Sequence, residues 1–381
     1  MIRLVAFVMM AVASAAQPQA WPDRVGGSRG YLHVYEGTAL SWFGRTIGAR
    51  ATGEVWPDAA AVAGFVEHAG IDPSTIEYEQ RSSHIAGVFA TSRPGDADRY
   101  RYAVFVSGQP VNGGRHRLHR TWFRFSAPEQ SKGVAVVMPG MLGTPHPIID
   151  RLEETLRGRG WGVLRMLVPP SRSTEHLPVE IDAGDPAQAI KRLAEELDQR
   201  TAECAYAVEA ALDWLASLGE PFADGPRVLL GISGTGMMLP AVLARNEHAF
   251  DAAVVLGGGA NAFKILRESS YADTLDSVRV TWAGGAPTAG VLEELDSLYL
   301  QYAQLDAYTL APMIGDVPML LLHGANDRAV PAETGDLLWK RLGEPTRWSK
   351  PVGHELLFVG LALWAGDMMD WLDENATERG G

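Results

Sequence analysis

From residue 133 onward the chain is marked by five short apolar runs: GVAVVMP (133–139), WGVLRMLV (161–168), RVLLGI (227–232), AAVVLG (252–257) and VPMLLLH (317–323). Each is nearly continuous in apolar residues and too short for a typical helix. A strand that is apolar on both faces must be covered on both faces, the condition of a parallel sheet rather than a half-wetted antiparallel one. Segments with helical character separate the runs: 148–157, 187–218, 236–245 and 332–342. Strands alternating with helices imply a parallel sheet flanked on both sides.

Further strands extend this core. Segments 99–107 and 121–126 are separated by the turn-rich VNGG (111–114), which implies an antiparallel pair. TRWSKP (346–351) is a last, weak strand before a final helix over 356–372. Eight strands result. Residues 262–313 interrupt the rhythm with amphipathic sequence such as VLEELDSLYLQYAQL (291–305), expected to form a helical cap over one end of the sheet.

Before the regular part, residues 17–97 form an extension of no assigned role, with one expected helix at 57–69. Residues 1–16 have the layout of a secretory signal peptide: a basic start at Arg3, the apolar run LVAFVMMAVA and small residues at Ala13, Ser14, Ala15 and Ala16. That run is too short to span a bilayer, so the expected location is secreted or periplasmic, with no stable membrane span. Residues 373–381 are expected to be a tail.

The net charge of -13 and the absence of a long basic run argue against a nucleic-acid partner. Cys204 is the only cysteine, so no intramolecular disulfide forms. It shares a helical stripe with Val208, Leu212 and Leu215 and is expected to be buried. The sequon Asn375-Ala376-Thr377 has meaning only in a glycosylating host. Nothing in the sequence sets an oligomeric state.

Chemistry concentrates at RVLLGISGTG (227–236), where Ser233 stands between a strand and a helix. A serine on such a turn adopts a strained backbone. The strand and helix approach so closely that the positions two before and two after must be small. Gly231 meets the first requirement. Thr235 meets the second only in part, so Thr235→Gly is expected to keep or improve activity. A serine hydroxyl needs a positioned base to act as a nucleophile. Asp327 follows the strand VPMLLLH, and His354 lies in the loop before the last helix, giving the chain order Ser, Asp, His. Two backbone N–H donors are needed for an oxyanion: Gly234, directly after the serine, and one from MPGMLGTPHP (138–147), with Met141 preferred over Leu142.

The series Pro-Gly-Met-Leu-Gly, Gly-Ile-Ser-Gly-Thr-Gly, His-Gly-Ala-Asn-Asp-Arg-Ala-Val-Pro and Gly-His resembles the α/β-hydrolase superfamily over roughly residues 98–372. The esterase, lipase and dienelactone-hydrolase-like branches are the most similar. The resemblance implies an α/β-hydrolase fold with Ser233 as nucleophile, His354 as general base and acid, and Asp327 as its orienting partner. It also implies a serine hydrolase of the carboxylesterase or lipase type, with a small-molecule or lipid-like ester as substrate and no cofactor or metal. The alternatives are a non-catalytic binding protein of the same fold, or another acyl hydrolase such as a peptidase or thioesterase.

Other features admit plainer readings. His116 and His119 lack a third ligand for zinc. His323 is expected to be structural or to line the pocket, and His146 to lie on the surface or touch substrate. GGGANA (257–262) formally fits a dinucleotide fingerprint, but no mononucleotide-binding half surrounds it.

Overall fold

The computed structural model describes residues 21–25, 31–36, 57–77, 100–141, 144–272 and 277–376. The leader expected over 1–16, the alternative donor Leu142, the side chain of His146 and Thr377 of the sequon lie outside the described residues.

Among the described residues, ten strands form the main sheet: β1 (Tyr31–Glu36), β2 (Ile76–Glu77), β3 (Arg101–Val111), β4 (Arg115–Ser126), β5 (Gly133–Met138), β6 (Trp161–Met166), β8 (Arg227–Ile232), β9 (Ala252–Leu256), β11 (Met319–Gly324) and β12 (Thr346–Lys350). Two more, β7 (Leu177–Asp182) and β10 (Val278–Ala283), pair separately. The main order is β1-β3-β4-β6-β5-β8-β9-β11-β12, with β2 on β4. The six strands from β6 to β12 in that order run parallel, whereas β1, β3 and β4 alternate in direction at one edge. The eight expected strands are all present, and β1 and β2 widen the sheet.

The helices are α1 (Pro57–Ala69), α2 (His146–Gly158), α3 (Ser171–Thr174), α4 (Ala187–Ala216), α5 (Gly234–Arg245), α6 (Ala262–Glu268), α7 (Ala289–Tyr302), α8 (Ala307–Leu310), α9 (Ala332–Arg341), α10 (His354–Val359) and α11 (Leu361–Asn375). Strand β5 shows why both sheet faces must be covered. Val134, Val136 and Met138 join one core with Leu229, Val255 and residues of α4, α5 and α9. Ala135 and Val137 join the opposite core with Leu230, Val254 and residues of α2, α10 and α11. The side chains alternate as strand geometry requires, and every residue of β5 is buried.

The last helix begins at His354 rather than 356 and is broken at Gly360. There the ring of Trp364 lies within 2.5 Å of where a β-carbon would stand. The second segment runs on to Asn375, which shortens the expected tail.

The insertion at 262–313 is not wholly helical. Its strand β10 pairs in parallel with β7, which lies nearly a hundred residues earlier, and together with α7 they enclose a separate core around Val179, Ile181, Phe263, Leu295 and Tyr299. Helix α4 ties this layer to the rest. Ile190 and Leu193 near its start pack into the small core, while Ala205 to Leu215 near its end pack under the main sheet. The N-terminal extension also has a structural place: Ala61, Phe65 and Val66 of α1 cover Val104, Val106 and Leu118 at the antiparallel edge.

Candidate active site

The turn between β8 and α5 brings Ser233 to the carboxyl end of the sheet. Its φ of 55° and ψ of -121° lie where residues with a side chain are strained. Ser233 N–H still bonds Leu256 C=O of β9 at 2.8 Å, so the strand runs in ladder register up to the strained residue. The tight approach is made by glycines. A β-carbon on Gly231 would stand 3.0 Å from Gly236 Cα, and one on Gly258 would stand 2.9 Å from the carbonyl carbon of Gly236. Gly231 thus meets the backbone of two residues beyond the serine, Gly236 Cα and the carbonyl oxygen of Thr235, both 3.0 Å from where its β-carbon would stand.

Asp327 and His354 are brought together by the pairing of β11 with β12. The loops that follow remain joined, with Ala325 N–H on Lys350 C=O at 2.8 Å and Asn326 N–H on Val352 C=O at 3.1 Å. Ser233 Oγ lies 2.8 Å from His354 Nε2, and His354 Nδ1 lies 2.6 Å from Asp327 Oδ2. Asp327 cannot turn freely, because its Oδ1 accepts from the N–H groups of Ala329 (2.9 Å) and Val330 (2.8 Å). His354 and Asp327 are both buried. The short contact between them is a charge-assisted hydrogen bond between two buried side chains. All three residues singled out in the sequence thus meet in one chain of contacts.

Met141 and Gly234 are neighbours at the same place. A β-carbon on Gly234 would fall 2.0 Å from Met141 Cγ, so the methionine side chain lies directly over the glycine. Gly140 comes nearly as close to the serine: its β-carbon would stand 3.3 Å from Ser233 Cβ.

These groups open into a cavity of about 370 Å³, lined largely by apolar side chains such as Ile148, Met237, Ile265, Leu266, Val330 and Phe358. Its two aspartates are occupied structurally. Asp306 accepts from the N–H groups of Asn261, Ala262 and Tyr308 and from the Tyr299 hydroxyl. Asp198 accepts from Gln304 and Leu305 N–H, both at 2.8 Å, and burial pushes its carboxyl up to about 7. Arg200 is held by Glu196 and by the carbonyls of Ser173, Glu175 and Ser277. Next to the histidine, the Tyr271 hydroxyl donates to Glu355. That bond holds the Glu355 carboxyl below its usual value, while burial and the same bond push the Tyr271 phenol up.

His116, His119 and His323 stand apart from this centre. His116 and His119 have an odd spacing along β4 and so project to opposite faces. His116 meets the Thr75 hydroxyl and His119 meets Gln109. His323 is buried against Gly335, does not line the cavity, and is disfavoured as a cation by burial. In GGGANA, Gly258 serves the contact with Gly236 and Gly259 clears Thr334 and Val330. Asn261 then caps α6 by accepting from Lys264 N–H. Cys204 is fully buried, and burial pushes its thiol up to about 12. Two features are new in the structure, the polar role of Thr235 and the pair Tyr271–Glu355; neither has a periodicity or motif to flag it in the sequence.

No protein-family model and no curated protein matches the chain. Among solved structures it is similar to a cold-adapted esterase from an Arctic intertidal metagenomic library, at 19% identity over 73% of this chain and 95% of that one, with a TM-score of 0.41. A Pyrococcus furiosus esterase matches at 14% identity over 68% and 88% of the two chains, with a TM-score of 0.44. An esterase from Butyrivibrio proteoclasticus matches at 16% identity over 67% and 94%, with a TM-score of 0.45. The order of the strands and the strained serine turn between β8 and α5 decide the architecture. The fold is that of the α/β-hydrolases.

Proposed function

We propose that the protein is a serine hydrolase that cleaves carboxylic esters with an apolar acyl or alcohol part. The observation that carries this reading is the unbroken chain from Ser233 Oγ through His354 to Asp327, at 2.8 and 2.6 Å, opening on an apolar cavity. A fold kept only for binding has no need of a strained serine with a buried base and an anchored acid behind it.

In the reaction, Ser233 Oγ attacks the ester carbonyl while His354 Nε2 takes its proton. The carbonyl oxygen becomes an oxyanion, received by the N–H groups of Gly234 and Met141. His354 then gives the proton to the leaving alkoxide, and the alcohol departs, leaving an acyl-serine. Water, deprotonated by the same histidine, attacks the acyl carbon and releases the acid and free Ser233. Asp327 holds Nδ1–H and stabilises the imidazolium formed in both halves.

The cavity favours apolar substrates, because side chains such as Ile148, Met237, Ile265 and Phe358 line it. Its charged lining groups Asp198, Asp306, Arg200 and Glu355 already have protein partners, which leaves no free charge to recognise a charged substrate. The basic and apolar start of the chain supports export, with the mature protein acting outside the cytoplasm.

The test is steady-state hydrolysis of p-nitrophenyl acetate, butyrate and octanoate by wild type and Ser233→Ala. Turnover of the shorter esters and its loss in the folded variant are expected. Equal turnover by both proteins would overturn the reading.

A further inference from the structure

Thr235 occupies a position where a glycine is the usual residue, yet its side chain is fully buried and hydrogen-bonded on two sides. Its Oγ1 accepts from Ile232 N–H at 3.1 Å and lies 2.9 Å from Met138 C=O and 3.1 Å from Ile232 C=O, either of which can take its single proton. Met138 and Ile232 are the last residues of β5 and β8, which pair in parallel. Beyond Met138 the chain becomes Pro139, Gly140 and Met141; beyond Ile232 it becomes Ser233 and Gly234. The hydroxyl therefore stands at the point where the two strands part, between the segments that carry the nucleophile and both oxyanion donors.

We propose that Thr235 is a positioning residue: its hydroxyl spaces the end of β5 from the serine turn and so sets the geometry of the oxyanion hole. The inference rests on the assignment of Ser233 as nucleophile. Little slack exists for the two segments to move. A β-carbon on Gly140 would already stand 3.3 Å from Ser233 Cβ, and the Met141 side chain sits directly over Gly234. Removing the hydroxyl leaves two outcomes. Either Ile232 N–H and Met138 C=O stay apart as buried groups that have lost a partner, or they close on each other and carry Gly140 and Met141 toward the serine. Closure displaces an oxyanion donor, and so does a methyl group in the hydroxyl's place, which cannot sit 2.9 Å from Met138 C=O and pushes the two segments apart. The expectation that glycine at 235 keeps or improves activity is thereby reversed.

The test compares Thr235→Val, which keeps the shape and removes the hydroxyl, with Thr235→Ser, which keeps the hydroxyl and removes the methyl. Hydrolysis of p-nitrophenyl butyrate, affinity for an alkyl trifluoromethyl ketone and the melting temperature are measured for both, alongside Ser233→Ala. A donor misplaced by a fraction of an ångström lowers kcat by up to about 100-fold. The valine variant is expected to lose kcat on that scale, with KM changed by less than about threefold because substrate and transition state are affected unequally. Its affinity for the ketone, whose adduct with serine carries an oxyanion, falls in parallel. The serine variant retains both.

Valine at wild-type kcat and ketone affinity overturns the inference, even if its melting temperature drops. So does equal loss in the valine and serine variants, which assigns the effect to the packing of the side chain as a whole rather than to the hydroxyl. If the valine protein does not fold, Thr235→Ala carries the same expectation. Activity surviving in Ser233→Ala, by contrast, removes the nucleophile assignment itself.

Discussion

Replacing Asp327 with asparagine probes the relay with little change of shape. Asp327 Oδ1 accepts from Ala329 and Val330 N–H, while Oδ2 faces His354 Nδ1 at 2.6 Å. An asparagine keeps the first two bonds only by placing its oxygen at the Oδ1 position. Its NH₂ then points at His354 Nδ1, which must become an acceptor. The imidazole proton moves to Nε2, facing Ser233 Oγ, and the histidine can no longer take the serine proton. A loss of about 10⁴ in kcat is expected from this tautomer change, or about 5.5 kcal/mol of transition-state stabilisation. KM should change little, since Asp327 does not line the cavity. The assay is p-nitrophenyl butyrate turnover in protein whose fold is verified by circular dichroism. A folded Asp327→Asn protein with kcat within tenfold of wild type would refute the reasoning.

Three further outcomes are expected. Gly234→Ala places a β-carbon 2.0 Å from Met141 Cγ, so the methionine must move, and ester kcat should fall by about 100-fold; an unchanged kcat contradicts the placement of both residues. For Asp198, the folded pKa of about 7 lies above the ordinary carboxyl value of 3.8, so the group stabilises the fold most below pH 3.8. That contribution is lost as pH rises to about 7, and the melting temperature of wild type relative to Asp198→Asn should fall across this window and level off above it. A flat difference from pH 4 to 8 contradicts the assignment. Cys204, buried with its thiol pushed up to about 12, should resist iodoacetamide in native protein at pH 8 and react in guanidinium, read by intact mass; rapid native labelling contradicts its burial.

Much of this architecture is legible in the sequence because the central strands β5, β6, β8, β9 and β11 are buried on both faces and so appear as nearly unbroken apolar runs. Helix α1 likewise lies at its expected bounds of Pro57–Ala69. Strands β7 and β10 escape for the opposite reason. In Leu177–Asp182 only alternate residues are buried, and only Val278 is buried in Val278–Ala283. Their pairing across nearly a hundred residues leaves no local trace. At the site, Ser233, Asp327 and His354 are readable because the order of strand, turn and loop constrains where each can sit. The polar role of Thr235 is hidden because its partners Met138 and Ile232 lie on two strands. A fifth-position rule counts side-chain size but not the hydrogen bonds a hydroxyl can make.

Activation of Ser233 by His354 is the step on which the whole mechanism depends. Its most direct test is covalent: the folded protein is incubated with a fluorophosphonate probe, digested, and the modified peptide sequenced by mass spectrometry. One adduct per chain is predicted, on Ser233, absent from Ser233→Ala and formed far more slowly in His354→Ala. No adduct on folded wild-type protein, or an adduct on another residue that persists in Ser233→Ala, would contradict the mechanism.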